Sequence, residues 1–219
     1  MPRIKGPLSV SLAGESYAFV GPMYNYYNTP EPTRDGNRYI ALGTNGSWYR
    51  HYHENGECWS QYSRNLKTEY PYLNRWFHET KAYSCPTQVM LGPEHTFFVR
   101  VGSQFSYNLV GRWVGRQDFR MVQKVWLGFG GAYVIDRYDG SQEWDLKGYY
   151  GDLKKRIKKG IYGSQKIQDL AMNIENPACY AIIMTNGGSD YMAANEFPEP
   201  VWRNYMTDNF SVRWRRRRE

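Results

Sequence analysis

Three groups of residues in this sequence carry side chains that could catalyse a reaction or hold a ligand. His51-x-His53 with Cys58 is the metal-like cluster. A spacing of two places both histidines on one face of a strand, and Cys58 lies across an Asn55-Gly56 turn on the partner strand. Zinc also needs a fourth ligand or a position held by water. There is no Cys-x-x-Cys and no second histidine pair. The reading is therefore a solvated strand face without metal, with His51, His53 and Cys58 as weak candidates. The second group is Asp136, Asp139, Glu143 and Asp145, all within ten residues. Paired carboxylates perform acid–base work in glycosidases, but a turn explains Asp139 and a strand end explains Asp145. Gly-x-Ser-x-Gly and Walker-type sequences are absent. Gly128-x-Gly130-Gly131 joins two strands rather than a strand and a helix, which argues against a dinucleotide site. No catalytic residue and no cofactor is assigned.

The third group is basic. The chain has a net charge of +7 over 219 residues. Residues 213–219, RWRRRRE, hold five Arg and one Glu, or +4, and residues 152–159, DLKKRIKK, hold five bases and one acid, also +4. These two segments outweigh the whole net charge, so the rest of the chain is close to neutral. Arg213, Arg215, Arg216, Arg217 and Arg218 in the tail, with Lys154, Lys155, Arg156, Lys158 and Lys159, form the candidate anion-binding set. Guanidinium groups pair bidentately with phosphate, and Trp214 would stack on a base. The competing readings are a nuclear-import signal for the tail and a solvated helix face for 154–159. Trp113, Tyr149, Tyr150, Trp202 and Trp214 are the candidate aromatic contacts, because they stand in turns and connectors where a core has no evident need of them.

The elements that position these residues are read most clearly in residues 121–157. Val122 to Leu127 is a strand, and Gly128 and Gly130-Gly131 break it. Ala132 to Tyr138 is rich in β-branched and aromatic residues, as strands prefer. Asp139-Gly140 is a hairpin signal, since a type I′ turn needs positive φ at both central residues. Ser141 to Leu146 returns. Tyr149, Leu153 and Ile157 then recur every four residues, which places them on one helical face, with a stop expected at Gly160. The order repeats at 38–79, where Trp59 is expected to match Trp144 and Tyr70, Leu73 and Phe77 mark a helix. It repeats more loosely at 7–27, 87–109 and 166–193. Gly56, Gly102, Gly140 and Gly188 are 46, 38 and 48 residues apart, a period that marks propellers and related arrays. One repeat domain over 1–212 is expected, with a closing strand at 209–214 and a basic tail at 213–219. The fold class is all-β with short helical connectors: about five three-stranded units, propeller-like. A barrel or a non-closing β array is the alternative.

Composition agrees. Aromatics make up 17% of the chain, with 20 Tyr and 8 Trp, and Gly 21 and Pro 11 suit many short turns. The three cysteines, Cys58, Cys85 and Cys179, do not suggest a disulfide framework. No N-terminal apolar segment and no run of about 18–20 apolar residues is visible. The expected location is cytoplasmic or nuclear.

The segment 122–146, with its apolar strand, glycine turn, second strand, Asp-Gly and Trp-Asp-Leu close, resembles a WD40-type propeller blade. The Gly-His pair typical of that family is absent, and helices stand where a fourth strand would be. The chain also resembles repeat proteins of unassigned function from filamentous fungi. The expected function is a non-enzymatic binding or scaffolding module that recognises a protein or an anionic partner, nucleic acid included. A carbohydrate-binding lectin is the alternative, and an enzyme with a single pocket is the second.

Overall fold

The computed structural model describes residues 9–13, 15–21, 25–28, 37–80, 86–109, 118–162, 166–185, 189–192 and 199–210. Fifteen strands among them make five separate three-stranded antiparallel meanders. The first holds β1 (Ser9–Ala13), β2 (Ser16–Val20) and β3 (Asn25–Tyr27). The second holds β4 (Asn37–Leu42), β5 (Trp48–Glu54) and β6 (Glu57–Tyr62). The third holds β7 (Gln88–Leu91), β8 (Phe97–Val101) and β9 (Gln104–Asn108). The fourth holds β10 (Val122–Leu127), β11 (Tyr133–Arg137) and β12 (Gln142–Asp145), and the fifth β13 (Ile167–Met172), β14 (Tyr180–Met184) and β15 (Ser189–Met192). Among the described residues, helices follow three of the meanders: α1 (Leu66–Glu69) with α2 (Pro71–Thr80), α3 (Gly151–Tyr162) and α4 (Glu199–Phe210).

The expected hairpins form, and among the described residues only the one at Asn55-Gly56 has positive φ at both central residues, 52° and 81°. At Asp139-Gly140 the glycine alone has positive φ, 79°, with Gly140 N–H bonded to Arg137 O at 2.8 Å and Arg137 N–H to Ser141 O at 3.0 Å, so the loop is a type I turn closed by a left-handed glycine and not the expected type I′ turn. Gly102 likewise has positive φ, at 57°. At the opposite end of the strands, the first and second strands are joined by a second repeated turn. Asn45-Gly46, Glu94-His95 and Gly130-Gly131 all have positive φ. They sit inside the bonds Ser47 N–H to Thr44 O, Thr96 N–H to Pro93 O and Ala132 N–H to Phe129 O, at 3.0, 3.0 and 3.1 Å. This is the type I′ pattern. Matching these turns aligns Trp48 with Tyr133. On that register Trp59, opposite Tyr52, does not correspond to Trp144, opposite Val134; Tyr62, opposite Tyr49, does. Trp59 is accordingly exposed, whereas Trp144 packs against the core.

No sheet closes on itself. The first strands instead pack side by side around a ring: β1 against β4, β4 against β7, β7 against β10, β10 against β13, and β13 against β1. That arrangement is propeller-like and is not a hydrogen-bonded barrel. Apolar layers fill the space between successive sheets. Leu66, Tyr70, Leu73 and Phe77 of the first helical segment pack with Tyr49, Val89 and Phe97, and Leu153 and Ile157 of α3 pack with Trp126, Ile135 and Ile182. The helix at 151 runs on through Gly160 to Tyr162.

The C-terminal element departs from expectation. Asn209 and Phe210 end a helix rather than opening a strand; the rest of the expected closing strand, and the tail, lie outside the described residues. Pro200 falls in the first turn of α4, where its missing N–H costs nothing. Trp202, Tyr205 and Met206 share a buried face against Val10, Leu12 and Phe19. The junction between the fifth and first sheets is thus covered by a helix.

Each innermost strand is an edge strand, with unpaired N–H and C=O groups turned towards its neighbour in a buried place. Side chains supply the missing partners at all five junctions. Ser9 Oγ donates to Ile40 O at 3.1 Å and Ser11 Oγ accepts from Leu42 N at 2.9 Å. The Tyr39 hydroxyl donates to Val89 O. Gln88 donates to Val125 O at 2.7 Å and accepts from Val125 N at 3.0 Å, imitating a strand partner. Lys124 Nζ donates to Gln168 O at 2.8 Å. Asp169 accepts from Trp126 Nε1 and, closing the ring, from Val10 N, both at 2.9 Å. The pairing register shifts between Asn37 and Tyr39, Val122 and Lys124, and Ile167 and Asp169. The irregularity stands next to the crossing residue in three sheets, the use to which β-bulges are suited.

Burial raises the pKa of Asp169, against the opposing effects of Lys124 and of its N–H donors. Stability linked to this shift is full below the ordinary carboxylate pKa and is lost as pH rises through the raised value. Asp169→Ala leaves the buried donors Val10 N, Trp126 Nε1 and Leu170 N, from three sheets, without their acceptor, and a loss of about 3 kcal/mol or more is expected; denaturant unfolding measures it. In the same experiment, Asp169→Asn should flatten the difference in unfolding free energy between acid and neutral pH that the wild-type carboxyl contributes.

Candidate functional site

The ends of the sheets that carry the type I′ turns meet at crevices between neighbours, and two of these are closed by tyrosines. Tyr70 stands just before α2. Its hydroxyl accepts from Thr44 N at 3.2 Å and donates to Gly92 O at 2.7 Å, tying the second sheet to the third. Tyr150 stands just before α3. Its hydroxyl accepts from Phe129 N at 2.8 Å and donates to Asn173 O at 2.6 Å, tying the fourth sheet to the fifth. A Cβ on Gly43 would lie 2.6 Å from the Tyr70 oxygen, and one on Gly128 2.9 Å from the Tyr150 oxygen. The Leu-Gly pair that opens each turn therefore makes room for the tyrosine. Burial raises the pKa of both phenols.

The crevices after the first and third sheets have no such tyrosine among the described residues. Between the first and second sheets lies a pocket of about 210 Å³, lined by Glu15, Asn45, Ser47 and Trp48, with Glu175 from the fifth. The matching crevice between the third and fourth sheets, with Tyr133 in the place of Trp48 and Leu109 beside it, holds about 10 Å³, enough for about one water.

A larger groove runs between α2 and β9. It measures about 380 Å³ and is lined by Tyr72, Trp76 and Tyr107, with Arg75, Glu79, Ser106 and Asn108 as its polar groups. Tyr72 is 60% exposed and Tyr107 37%. Both rings are held in place. The Arg75 guanidinium lies 5.8 Å from the centre of the Tyr72 ring, and Tyr107 stacks on buried Phe119 at 4.0 Å. Phe97 forms part of the wall, and Leu73 and Phe77 on the opposite face of α2 are buried in the core. The amphipathic spacing of α2 thus presents Tyr72, Arg75, Trp76 and Glu79 to the groove.

The residues expected from sequence are distributed differently. Tyr149 is partly exposed and meets Phe129 edge-on. Tyr150 and Trp202 are buried, the first as an inter-sheet tie and the second in the α4 core, so neither offers a surface contact. Trp113 and Trp214 lie outside the described residues, as do Arg213, Arg215, Arg216, Arg217 and Arg218. Lys154, Lys155, Lys158 and Lys159 are exposed on α3, and Arg156 is half-buried. Lys155 pairs with Asp152 at 2.8 Å, which lifts its pKa.

The carboxylate group separates into local roles. Asp139 accepts from Ser141 N at 2.8 Å, which lowers its pKa. Asp145 accepts from the backbone and side chain of Lys147, with the same effect. Glu143 takes Arg137 and Tyr133, at 2.5 and 3.1 Å. Asp136 bonds to Gln142, and burial raises its pKa. No two of the four are joined to each other by a described bond.

The His51, His53 and Cys58 side chains do converge, with ligand atoms within 4.8 Å of one another. Cys58, however, is disulfide-bonded, and Cys179 is a buried thiol. The cysteine count and spacing give no sign of that bond, so the expectation of no disulfide framework does not extend to Cys58.

No family model matches the chain, and no curated protein matches it. Among solved structures, a selenomethionine-substituted virginiamycin B lyase from Staphylococcus aureus is similar at 8% identity and a TM-score of 0.26, over 90% of this chain and 72% of the other. A likeness that slight bears on neither ligand nor activity.

Tyr70→Phe and Tyr150→Phe each leave a part-buried amide and a buried carbonyl without the hydroxyl that bonds them. A loss of about 1–3 kcal/mol is expected for either, read from the denaturant midpoint. The change should be smaller for Tyr149→Phe, whose ring is partly in solvent.

Proposed function

We propose that this protein is a non-enzymatic binding module that takes a carbohydrate in the groove between α2 and β9. The observation that carries this reading is the combination in that groove of three aromatic side chains, two of them well exposed, with a guanidinium, a carboxylate, a hydroxyl and an amide. The C–H faces of a sugar ring pack on Tyr and Trp, and its hydroxyls need donors and acceptors at the rim. Tyr72 and Tyr107 are already braced by Arg75 and Phe119, so little ordering cost falls on binding. An acid–base mechanism has less support, because three carboxylates of the fourth sheet are engaged by a turn or a neighbouring base and the fourth, Asp136, by the Gln142 amide.

The second reading, recognition of an anionic partner such as nucleic acid, rests on the four exposed lysines of α3. The arginine tail belongs to that reading only through its sequence.

A glycan array followed by calorimetry on the strongest hit tests the proposal. Tyr72→Ala should weaken binding about tenfold while the unfolding midpoint changes little, since that side chain is largely solvent-facing; Tyr107→Ala should weaken binding by a similar factor and also lower the midpoint, since its ring stacks on Phe119. An array without hits, together with salt-sensitive binding to an oligonucleotide that is lost in Lys154→Glu/Lys158→Glu, would contradict the carbohydrate reading and favour the anionic one.

A further inference from the structure

The edge of the second sheet carries a site that the groove does not use. His53 and Cys58 face each other directly across β5 and β6, and His51 follows on the same face, opposite Ser60. The Cys58 sulfur lies 3.3 Å from His53 Nε2. The two imidazole rings are 5.3 Å apart, nearly perpendicular. His51 Nδ1 is 3.2 Å from the Trp59 carbonyl, so that nitrogen donates and Nε2 carries the lone pair, the orientation seen when a backbone carbonyl braces a metal-bound histidine. Zinc–nitrogen and zinc–sulfur bonds of about 2.0 and 2.3 Å hold tetrahedral ligand atoms about 3.3–3.6 Å apart. The His53–Cys58 separation already meets that span, and rotation of side chains through about 1 Å brings in the rest.

What stands against metal binding is the state of the sulfur. In a disulfide, Cys58 has no thiolate to offer, and the thiolate is the zinc ligand. We propose that His51, His53 and Cys58 form a zinc site that becomes available only when the Cys58 disulfide is reduced. A dithiol supplies two electrons and two protons. Its thiolate attacks the disulfide, the S–S bond breaks, both protein cysteines leave as thiols, and the reductant ends as its own disulfide. Zinc then takes Cys58 as the thiolate, releasing its proton to solvent, with two imidazole nitrogens and a water as the remaining ligands. The site is half-exposed at His53 and Cys58, so both reductant and metal can reach it. The strand pairing that aligns the three residues is backbone-made and does not itself depend on the disulfide.

Cobalt(II) is the probe, added to the full chain with and without a phosphine reductant, which cleaves disulfides without adding a competing thiol. The reduced chain should bind one cobalt, with the intense visible bands of a tetrahedral site and a thiolate-to-cobalt charge-transfer band, both bleached by excess zinc. The oxidised chain should show neither. Cys58→Ser should abolish the charge-transfer band, His51→Ala and His53→Ala should each weaken binding at least about tenfold, and Cys179→Ser should change nothing. Far-UV circular dichroism on the same samples follows the fold. The proposal is overturned if the reduced chain gives no such bands, folded or unfolded. Equal binding by the oxidised chain overturns it, and so do bands that survive loss of the histidines.

Discussion

A three-stranded sheet set radially in a ring has an inner edge, and that edge cannot face water once the ring closes. The peptide groups along β1, β4, β7, β10 and β13 must find partners, and successive sheets cannot pair as one continuous ladder without losing the apolar layers between them. Ser9, Ser11, Tyr39, Gln88, Lys124 and Asp169 resolve this by reaching across each junction. The side chains differ at every junction. The requirement is geometric, a donor or acceptor of suitable reach, beside a bulge in three of the five sheets, and it does not demand one residue type. That accounts for repeats so unequal in sequence that nonetheless build equivalent sheets.

The outer parts of the ring inherit their form from this inner closure. Once the first strands are fixed, the type I′ turns come together at one end, and the Leu-Gly pairs at 42–43 and 127–128 admit Tyr70 and Tyr150. The tyrosines lie immediately before α2 and α3, so the ties that close two crevices also set where those helices begin. The position of α2 then decides how Tyr72 and Trp76 meet Tyr107 on the next sheet. The proposed carbohydrate groove depends on the ring at two removes. The histidine pair and Cys58 depend on it less, since the pairing of β5 with β6 is enough to align them.

Local chemistry was legible in the sequence. Asp139-Gly140 and Asn55-Gly56 announce their hairpins, the spacing of Leu153 and Ile157 gives the buried face of α3, and glycines at intervals of 38 and 46 residues give the repeat. Contacts between units were not. Nothing in the alternation around Gln88 or Asp169 distinguishes a polar residue turned to solvent from one bonded to the next sheet, because that depends on which strands become neighbours. The same blindness made Tyr150 look like a surface aromatic, although its hydroxyl is spent on Phe129 and Asn173. The closing strand expected at 209–214 gives way at Asn209 and Phe210 to a helix, whose signal is the helical spacing of Trp202, Tyr205 and Met206. Tyr72 and Tyr107 escaped notice because the groove joins a helix and a strand more than thirty residues apart.

The most direct test of the account is native-state hydrogen exchange at the amide of Val125, followed by NMR in the wild-type chain and in Gln88→Ala. The Gln88 carboxamide is the partner of this inner-edge amide. The account predicts protection comparable to amides inside the β10–β11 ladder in the wild type. In the variant, Val125 should exchange much faster than its ladder neighbours, with Leu42 of a different junction unchanged. An unprotected Val125 in the wild type, or protection that survives loss of the glutamine, would contradict the claim that side chains from each preceding sheet close the ring.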